Sequence, residues 1–412
     1  MFTHNARIRS AAAMVLAGGL VLGASACSSP NAGSDDREVH VAAVLPLSGL
    51  YGANGKGELA GAQLAIDLFN EAGGVKSMSG AKVVLDSFDA GESIETAVTA
   101  ATRAMGGDAK PAAGLGAWLS SFSLGVTEVA ERQKVPWFTV GFADTITDRG
   151  FKYTYKVTPY STQLAQGVLD TLARIGAGRG EEVKTIALVG DNTAAMVALF
   201  KAIDEGGLAA KAGVTIVTKQ VWTPPLGNAS SVAAALKDTN PDAIVFGGTN
   251  FTDGSAILAA MQEHQLDTVI VAQGQWMVMP EYINNVGAEK LEGIYSVVGG
   301  NASKGMEDVV ATYMKESGQP FMTPDAIGGY LEASIILAAI EKAGSADPLK
   351  VNEAIKSLKI TSGPATTVFP GGDISFDGKG MINNSVPVVV QWQGGYPMTV
   401  FPEKAATAAA NY

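Results

Sequence analysis

Serine hydroxyls follow a short apolar run in the segment GLGAWLSSFSLG, residues 114–125. Trp118 is followed by Ser120 and Ser121, at the point where the pattern predicts that a helix begins. The first turn of a helix carries unpaired backbone N–H groups and the positive end of the helix dipole, so hydroxyls placed there suit a small carboxylate ligand. A serine at this position can equally serve only to cap its helix. The sequence leaves both interpretations open.

A second polar segment, GFADTITDRG at residues 141–150, follows the next predicted strand. Loops after parallel strands converge at the carboxyl edge of the sheet, so Ala143, Asp144 and Thr145 are expected at the same rim as the serines. Asp144 and Thr145 can also be interpreted as caps of the turn that follows.

Groups needed for catalysis are scarce. The three histidines are His4, His40 and His264, and none lies near a nucleophile motif or a paired metal ligand. The glycine-rich segment GANGKGELAG, residues 52–61, misses the dinucleotide-binding fingerprint by one residue and lacks the Ser or Thr that follows the lysine of a phosphate-binding loop. We interpret it as a plain strand–loop–helix junction. No catalytic residue, metal ion or cofactor is expected, and an enzyme is the least favoured class.

The N-terminal region has the layout of an export signal. Arg7 and Arg9 precede an uncharged apolar run at residues 11–22, and small residues then lead to Cys27, the only cysteine. The run is shorter than the roughly 20 residues that cross a bilayer, which favours a cleaved signal. The triplet before Cys27 resembles a bacterial lipobox, with Ala24 in place of the usual leucine. The alternative is an ordinary secretory signal with a spectator thiol.

We therefore predict a signal peptide over residues 1–26, followed by the lipidated Cys27 and a flexible polar tether over residues 27–38. This arrangement implies export and anchoring by lipid to the outer face of the cell membrane. The formal net charge of −11 argues against nucleic-acid partners and against a basic patch that binds anionic lipid.

The 412 residues, 47% of them hydrophobic, are enough for two domains of ordinary size. Short β-branched runs such as KTIALVG and PDAIVFGG alternate with alanine-rich segments of helical spacing. This alternation, repeated many times, predicts an α/β fold with two doubly wound parallel-sheet lobes. Ligands of such sheets lie outside the carboxyl ends of the strands, so a small molecule is expected in the cleft between the lobes.

A longer pattern resembles a known family. The segment VAAVLPLSGLYGANGKGELAGAQLAIDLFNEAGGV, followed by GAWLSSFSLGVTEVAERQKVPWFTVGFADTIT, is similar to the extracytoplasmic solute-binding proteins of the branched-chain amino acid type. These leucine-binding protein-like, type I periplasmic binding proteins feed ABC transporters. The resemblance extends from Val39 to Pro402 and includes DISFDGKGMINNSVPVVVQWQGG near the end.

The resemblance implies a three-crossing hinge between the two lobes, which close on the ligand. Lobe 1 would comprise residues 39–158 and 295–384, and lobe 2 residues 159–294 and 385–412. Lobe 1 would hold the ligand's carboxylate, and loops of lobe 2 would close over it. The expected ligand-binding residues are Asn54, Trp118, Ser120, Ser121, Phe142, Ala143, Asp144, Thr145, Asn192, Ala195, Asn250, Asp253, Gln273 and Trp276.

Some positions depart from the family pattern. Relatives that bind leucine-type ligands often have tyrosine where this chain has Asn54 and Ala195, and an acid where it has Thr252. The ligand is therefore left open among an aliphatic amino acid, an amide, a urea-like solute and an aromatic acid. We hypothesise that Asp253 or Asn250 contacts its polar head from the second lobe.

The expected function is that of a monomeric binding protein that captures a small polar solute, namely an amino acid, an amide or a related carboxylate. Its partners would be that solute, the permease subunits of an ABC importer and, through the lipid, the membrane. The alternative is a ligand-sensing receptor module that signals to a membrane partner, because one fold hosts several functions. An enzyme that uses the cleft is the third interpretation.

Overall fold

The computed structural model describes residues 38–107 and 110–412, so the expected signal peptide, Cys27 and all but the last residue of the tether lie outside the described residues. Strands and helices alternate as the sequence predicts. The strands are β1 Glu38–Leu45, β2 Lys82–Asp89, β3 Ala113–Gly116, β4 Trp137–Thr139, β5 Thr154–Lys156, β6 Thr185–Asp191, β7 Thr215–Trp222, β8 Ala243–Gly247, β9 Val269–Gln273, β10 Tyr295–Val298, β11 Val388–Gln393 and β12 Tyr396–Phe401.

The helices contribute the outer layers of the fold. They are α1 Gly52–Glu71, α2 Ile94–Met105, α3 Ser120–Gln133, α4 Ser161–Arg179, α5 Ala194–Ile203, α6 Leu208–Lys211, α7 Ala229–Thr239, α8 Phe251–Glu263, α9 Glu281–Asn285, α10 Ala288–Leu291, α11 Glu307–Ser317, α12 Pro324–Ala343, α13 Pro348–Lys356 and α14 Pro364–Val368. Among the helices of the described residues, none combines the length and the apolarity that a membrane span requires.

The first sheet forms lobe 1. Its five strands are all parallel, in the order β2-β1-β3-β4-β5. Residues 41–45 of β1 are all buried, because helices cover both faces of the sheet, and a strand buried on both faces needs a continuous apolar run. Helices α11 to α14 come much later in the chain, and α11 and α12 pack against α1 of this lobe.

The second sheet forms lobe 2, with seven strands in the order β12-β11-β10-β9-β8-β6-β7. The five strands from β6 to β10 are parallel, whereas β11 pairs with β10 and with β12 in antiparallel fashion. The antiparallel hairpin departs from the wholly parallel sheet that the sequence predicts. Its turn is Gly394-Gly395, both with positive φ, which two-residue hairpin loops favour.

The chain crosses between the lobes three times, as the family resemblance implies, but one boundary lies elsewhere. Strand β10 pairs with β9 and β11 of lobe 2, so the second crossing follows Val298 and does not lie between residues 294 and 295. The first crossing begins after Lys156, whose buried Nζ donates to the carbonyl oxygens of Thr158 and Pro159, both at 2.7 Å. Burial lowers the pKa of Lys156.

The glycine-rich segment at residues 52–61 is helical and not the loop that the sequence analysis expected. Helix α1 begins at Gly52, directly after a short 3-10 helix. A Cβ at Gly61 would lie 1.8 Å from the carbonyl oxygen of Ala326, so glycine is required there for α1 to approach α12. Gly61 therefore serves helix packing, and the segment belongs to α1 and forms no phosphate-binding loop.

Candidate functional site

A small cavity of about 30 Å³ lies where the carboxyl edges of the two sheets face each other. Both lobes contribute to its wall. The lining residues are Trp118, Leu119, Ser120, Val140 and Phe142 from lobe 1, and Thr193, Ala195, Met196, Gly248, Thr249, Gly274, Gln275 and Trp276 from lobe 2. This space holds a few water molecules at most, so a solute of amino acid size requires the lobes to move apart.

The lobe 1 wall begins with a tight turn after β3. Ala117 has a φ of +58°, and its N–H donates to the carbonyl oxygen of Val44 at 2.6 Å. A left-handed conformation costs a non-glycine residue roughly 1–2 kcal/mol, so the surrounding structure must hold it in place. The turn brings Trp118 and the first residues of α3 to the cavity.

Ser120 is the serine that reaches the cavity. Its Oγ accepts the backbone N–H groups of Phe142 at 3.0 Å and of Ala143 at 3.1 Å, which ties together the loops after β3 and β4. Neither bond uses the hydroxyl hydrogen, so Ser120 still has a donor for a ligand. Ser121 does not line the cavity. The structure thus places Ser120 in the cavity wall, and Ser121 is not part of that wall.

Trp118 is oriented by a buried acid that the sequence analysis did not identify. Its indole Nε1–H donates to Oδ1 of Asp325 at 2.7 Å, and Nδ2 of Asn54 donates to Oδ2 at 2.8 Å. Burial raises the pKa of Asp325 to about 7, against the opposing effect of these two hydrogen bonds. Asn54 also lies 3.4 Å from Sδ of Met279 in lobe 2. Asn54 therefore supports the cavity wall from behind and does not line it.

The lobe 2 wall carries two threonine hydroxyls held by one carboxylate. Asp191 ends β6 and is fully buried. Its Oδ1 accepts both the N–H of Thr193 at 3.0 Å and the hydroxyl of Thr193 at 2.6 Å. Its Oδ2 accepts the hydroxyl of Thr249 at 2.6 Å. Burial raises the pKa of Asp191, whereas the hydrogen bonds from the two threonines lower it.

Trp276 forms the aromatic part of the lobe 2 wall. Its Nε1–H donates to the carbonyl oxygen of Gln273 at 2.9 Å, and its ring meets Phe246 edge-on with the centroids 4.9 Å apart. The amide of Gln273 is buried, and neither of its polar atoms has a hydrogen-bond partner among the described residues. Gln273 itself does not line the cavity, although its neighbour Gln275 does.

Asp253 and Asn250 are engaged within lobe 2. Asp253 accepts the indole N–H of Trp222 at 2.8 Å, the N–H of Leu226 at 2.9 Å and the side-chain amide of Asn250 at 3.0 Å. Asn250 caps α8 by accepting the N–H of Asp253 at 2.8 Å. Both carboxylate oxygens of Asp253 are thus occupied by bonds that fasten the loop after β7, and neither residue lines the cavity.

The remaining predicted site residues lie around the rim. Asp144 accepts the hydroxyl of Thr162 at 2.6 Å and its N–H at 3.3 Å at the start of α4, 18 residues further along the chain and not in the turn that Asp144 was expected to cap. Thr145 and Asn192 are exposed, and Nδ2 of Asn192 donates to Thr223 at 2.7 Å. The structure therefore brings five of the predicted residues to the cavity wall, namely Trp118, Ser120, Phe142, Ala195 and Trp276.

Tyr51, Asp191, Thr193 and Thr249 are not among the residues that the sequence singled out, although the last three lie in loops of lobe 2 that were expected to close over the ligand. Tyr51 lies 6.2 Å from Trp118 between ring centroids, and burial followed by the charge of Asp191 raises its pKa to about 12. Asp191 is the last residue of β6, and Thr249 comes two residues after β8. Ligand groups of parallel sheets gather at these strand ends, so the sequence positions of both residues could have indicated them. The partnership of Asp191 with Thr249, 58 residues apart, was not readable from the sequence.

Comparison with known proteins agrees with this architecture. Residues 38–395 match the family model described as periplasmic binding protein. The Leu/Ile/Val-binding protein homolog 8 of Brucella melitensis is 25% identical over 387 residues, which cover 91% of this chain and 93% of that relative.

Two solved structures share the fold. The leucine-binding protein LivK of Thermotoga maritima superimposes with a TM-score of 0.73 at 24% identity, covering 88% of this chain and 97% of that one. LivJ of Streptococcus pneumoniae, in complex with isoleucine, superimposes with a TM-score of 0.74 at 19% identity, covering 90% and 98%. Since the family model matches most of its length, this chain belongs to the periplasmic binding protein family.

Proposed function

We propose that this protein captures a small solute with a carboxylate group between its two lobes and delivers it to the permease of an ABC importer. One observation carries the proposal: a cavity built from the strand-end loops of both lobes, with the Ser120 hydroxyl at the start of α3 free to donate. Ligand-driven closure of two lobes around such a site is a standard mode of small-molecule capture.

The start of α3 supports binding of a carboxylate. Ser120 is the first residue of this 14-residue helix, and Leu119, which precedes it, provides no side-chain cap. The N–H groups of the first turn are therefore left for a ligand or solvent, and the helix dipole favours a negative charge beside them. The aromatic side chains of Trp118, Phe142 and Trp276 would cover the apolar body of the solute.

The chemical class of the solute is part of the proposal. The name of the Brucella relative refers to Leu, Ile and Val, and the LivJ structure contains isoleucine. These names make amino acids the first compounds to test. The aromatic lining of this cavity makes aromatic acids the second.

A binding screen tests the proposal. The chain from Cys27 onward, refolded to remove any carried-over ligand, is melted with branched-chain and aromatic amino acids, small amides, urea and aromatic carboxylates. A ligand at 100 times its Kd adds about 2.7 kcal/mol of stability, which should raise the Tm by a few degrees. A panel in which no carboxylate raises the Tm would contradict the proposal.

Ser120→Ala is the matched variant for the carboxylate site. We expect it to weaken binding of the best ligand by about tenfold, since a hydrogen bond to a charged group contributes about 1.5–3 kcal/mol. Ser230→Ala is the control, because Ser230 is an exposed serine of α7 whose Oγ lies 3.1 Å from Nε2 of His264. Equal affinity in Ser120→Ala and wild type would remove Ser120 from the site.

Export and anchoring through Cys27 form a separate part of the proposal. Support comes from the N-terminal pattern alone, that is, the two arginines, the apolar run and the cysteine that follows it. Fractionation of the native host tests it: we expect the wild-type protein in the membrane fraction and Cys27→Ser released from it.

Uptake assays in a host that lacks this chain test delivery to a permease, and normal solute uptake there would argue against that role.

A further inference from the structure

A fully buried lysine lies at the point where the chain leaves lobe 1 for the first time. Lys156 is the last residue of β5, and its side chain is closed off from solvent. Its Nζ donates to the carbonyl oxygens of Thr158 and Pro159, both at 2.7 Å, and to Oγ1 of Thr158 at 2.9 Å. Since an ammonium has three N–H groups, the first crossing provides an acceptor for each of them.

Thr158 connects this ammonium to the second crossing and to the cavity wall. Its hydroxyl donates to the carbonyl oxygen of Val140 at 3.1 Å, and Val140 lines the cavity. Its methyl group packs on the second crossing, because a Cβ at Gly299 would lie only 3.0 Å from Cγ2 of Thr158. The side chain of Thr158 therefore lies between the first two crossings.

The backbone of Lys156 reaches the third crossing. Its N–H donates to the carbonyl oxygen of Gly380 at 2.8 Å, and its carbonyl oxygen accepts the N–H of Ile382 at 2.9 Å. Ile382 still belongs to the core of lobe 1, whereas β11 of lobe 2 begins at Val388, so residues 383–387 form the third crossing. Lys156 and its partners are thus adjacent to all three connections between the lobes.

Phe142 joins this cluster to the solute site. Its ring centroid lies 6.0 Å from Nζ of Lys156, and the ring of Tyr160 lies 5.1 Å from the same atom. Aromatic faces at such distances attract a desolvated cation. Phe142 lines the cavity, and its carbonyl oxygen accepts the N–H of Ser161 at 2.9 Å, where α4 begins. The hinge and the cavity wall therefore share this side chain.

The stability of the fold does not by itself explain a buried lysine at this place. Burial lowers the pKa of Lys156, and the charge of Asp144 raises it. Desolvation offsets the attractions of a buried charge, so an apolar side chain of similar volume is often as stabilising or more so. What distinguishes Lys156 is that its acceptors all belong to a hinge segment, whose φ and ψ angles change when two lobes open or close. Its hydrogen bonds therefore depend on the conformation of the hinge.

We propose that Lys156 is a positioning residue of the hinge: its side chain holds the first crossing in the conformation of the closed lobes and so raises the closed population. The inference rests on the proposed function, because it takes the two lobes to be mobile. When the lobes open, the carbonyl groups of Thr158 and Pro159 turn away from Nζ, and the buried ammonium loses acceptors. Unpaired buried donors are costly, and this cost disfavours the open state.

The distance between the lobes, measured by double electron–electron resonance, tests the inference without any solute. Because Cys27 is the only cysteine, Cys27→Ser combined with Thr99→Cys and Lys201→Cys carries one spin label on an exposed position of each lobe. In this background we expect Lys156→Met to lower the ratio of molecules at the closed distance to molecules at longer distances by about tenfold.

Urea unfolding separates this role from a purely structural one. We expect Lys156→Met to unfold at the same urea concentration as the wild type or at a higher one, since an apolar side chain replaces a buried charge. A purely structural lysine would give the reverse pattern, with a lower urea midpoint and an unchanged distribution of distances. That pattern would overturn the inference.

Thr158 offers a matched pair of variants. Thr158→Val removes the hydroxyl at nearly constant shape and should lower the ratio of closed to open molecules, whereas Thr158→Ser keeps the hydroxyl and should remain closer to the wild type. Lys152→Met is the control, because it makes the same substitution as Lys156→Met at an exposed lysine, and it should keep the wild-type ratio.

The outcomes distinguish the inference from the proposed function. Wild-type distances in both Lys156→Met and Thr158→Val would overturn the inference and leave the proposed function standing. A wild-type distribution that no solute of the binding screen shifts would count against the proposed function, and the solute-free variants would still decide the role of Lys156.

Discussion

The indole N–H of Trp118 donates to the buried carboxylate of Asp325 at 2.7 Å, across 207 residues of sequence. One residue belongs to the loop that lines the cavity, and the other to the first turn of α12. The same carboxylate receives the amide of Asn54 from α1. A wall of the proposed solute site is therefore held by the packing of two helices that do not touch the solute.

Asp325→Ala should weaken solute binding by about tenfold and lower the free energy of unfolding. In this variant the N–H groups of Trp118 and Asn54 lose their acceptor in a buried site, and each unpaired group costs about 1–3 kcal/mol of stability. Calorimetry and the tryptophan emission spectrum measure the two effects. Asp325→Asn retains one acceptor oxygen and should recover part of the affinity. Asp347→Ala is the control: it removes the cap of α13, for about 1 kcal/mol of stability, and should leave the affinity unchanged.

Gly254→Ala should displace Trp276. A Cβ at Gly254 would lie 2.3 Å from Cζ3 of Trp276 and 2.2 Å from the hydroxyl of Tyr282, closer than any real contact. We expect a loss of about 1–3 kcal/mol in the free energy of unfolding, together with weaker binding, since Trp276 forms part of the cavity wall. Gly227→Ala has open space around the new methyl group and serves as the control. Unchanged affinity in Gly254→Ala would show that the cavity tolerates movement of the indole.

Asp253→Ala separates two roles for this acid. Because it fastens Trp222 and Leu226, we expect the variant to lose about 2–4 kcal/mol of stability and to expose the loop after β7 to limited proteolysis. Urea unfolding and proteolysis measure these effects. The affinity per folded molecule should change little. A large loss of affinity with normal stability would instead support the hypothesis that Asp253 contacts the polar head of the solute.

Glu58 and Glu332 make the stability pH-dependent. They face each other from α1 and α12, and their oxygens have no other partner among the described residues. Burial raises the pKa of Glu58 from the ordinary 4.5 to about 8, and burial and the charge of Glu58 raise the pKa of Glu332 as well. The folded state therefore keeps protons that the unfolded chain has released. The free energy of unfolding should thus fall as pH rises from 4.5 through about 8.

Glu58→Gln removes one of the two titrating groups and should make the free energy of unfolding less dependent on pH. Each proton that only the folded state retains changes this free energy by up to about 1.4 kcal/mol per pH unit. Urea unfolding at several pH values measures it. Glu71→Gln, an exposed carboxyl at the end of the same helix, should follow the wild-type curve. A wild-type stability that rises across this range would contradict the assignment of a protonated pair.

The periodicity of the sequence predicted much of the fold. Alternating β-branched runs and alanine-rich helical segments indicated two parallel sheets, because both patterns are local and repeat within a few residues. The antiparallel hairpin of β11 and β12 was missed, although its Gly-Gly turn is a recognisable signal. The boundary after β10 was misplaced because strand pairing, and not strand propensity, decides which sheet a strand joins.

Within the site, the sequence indicated the loops but not the roles. Trp118, Ser120 and Trp276 line the cavity, whereas Asn54 and Asp253 were also predicted to contact the solute but do not line it, and Asp191 was not singled out. All three polar side chains lie at strand ends or helix starts of the kind that bind ligands, so local pattern does not distinguish them. Their partners do: Asp325 for Asn54, Trp222 for Asp253, and Thr249 for Asp191.

The sequence by itself thus determined the two-sheet architecture, the scarcity of catalytic groups and the strand ends at which a solute site forms. These properties depend on composition and on spacing along the chain. Only the tertiary structure decided which acid lies behind the cavity and which fastens a loop, because that depends on residues tens to hundreds of positions apart. A buried polar group must find its partner wherever the fold brings one, and packing alone determines where that is.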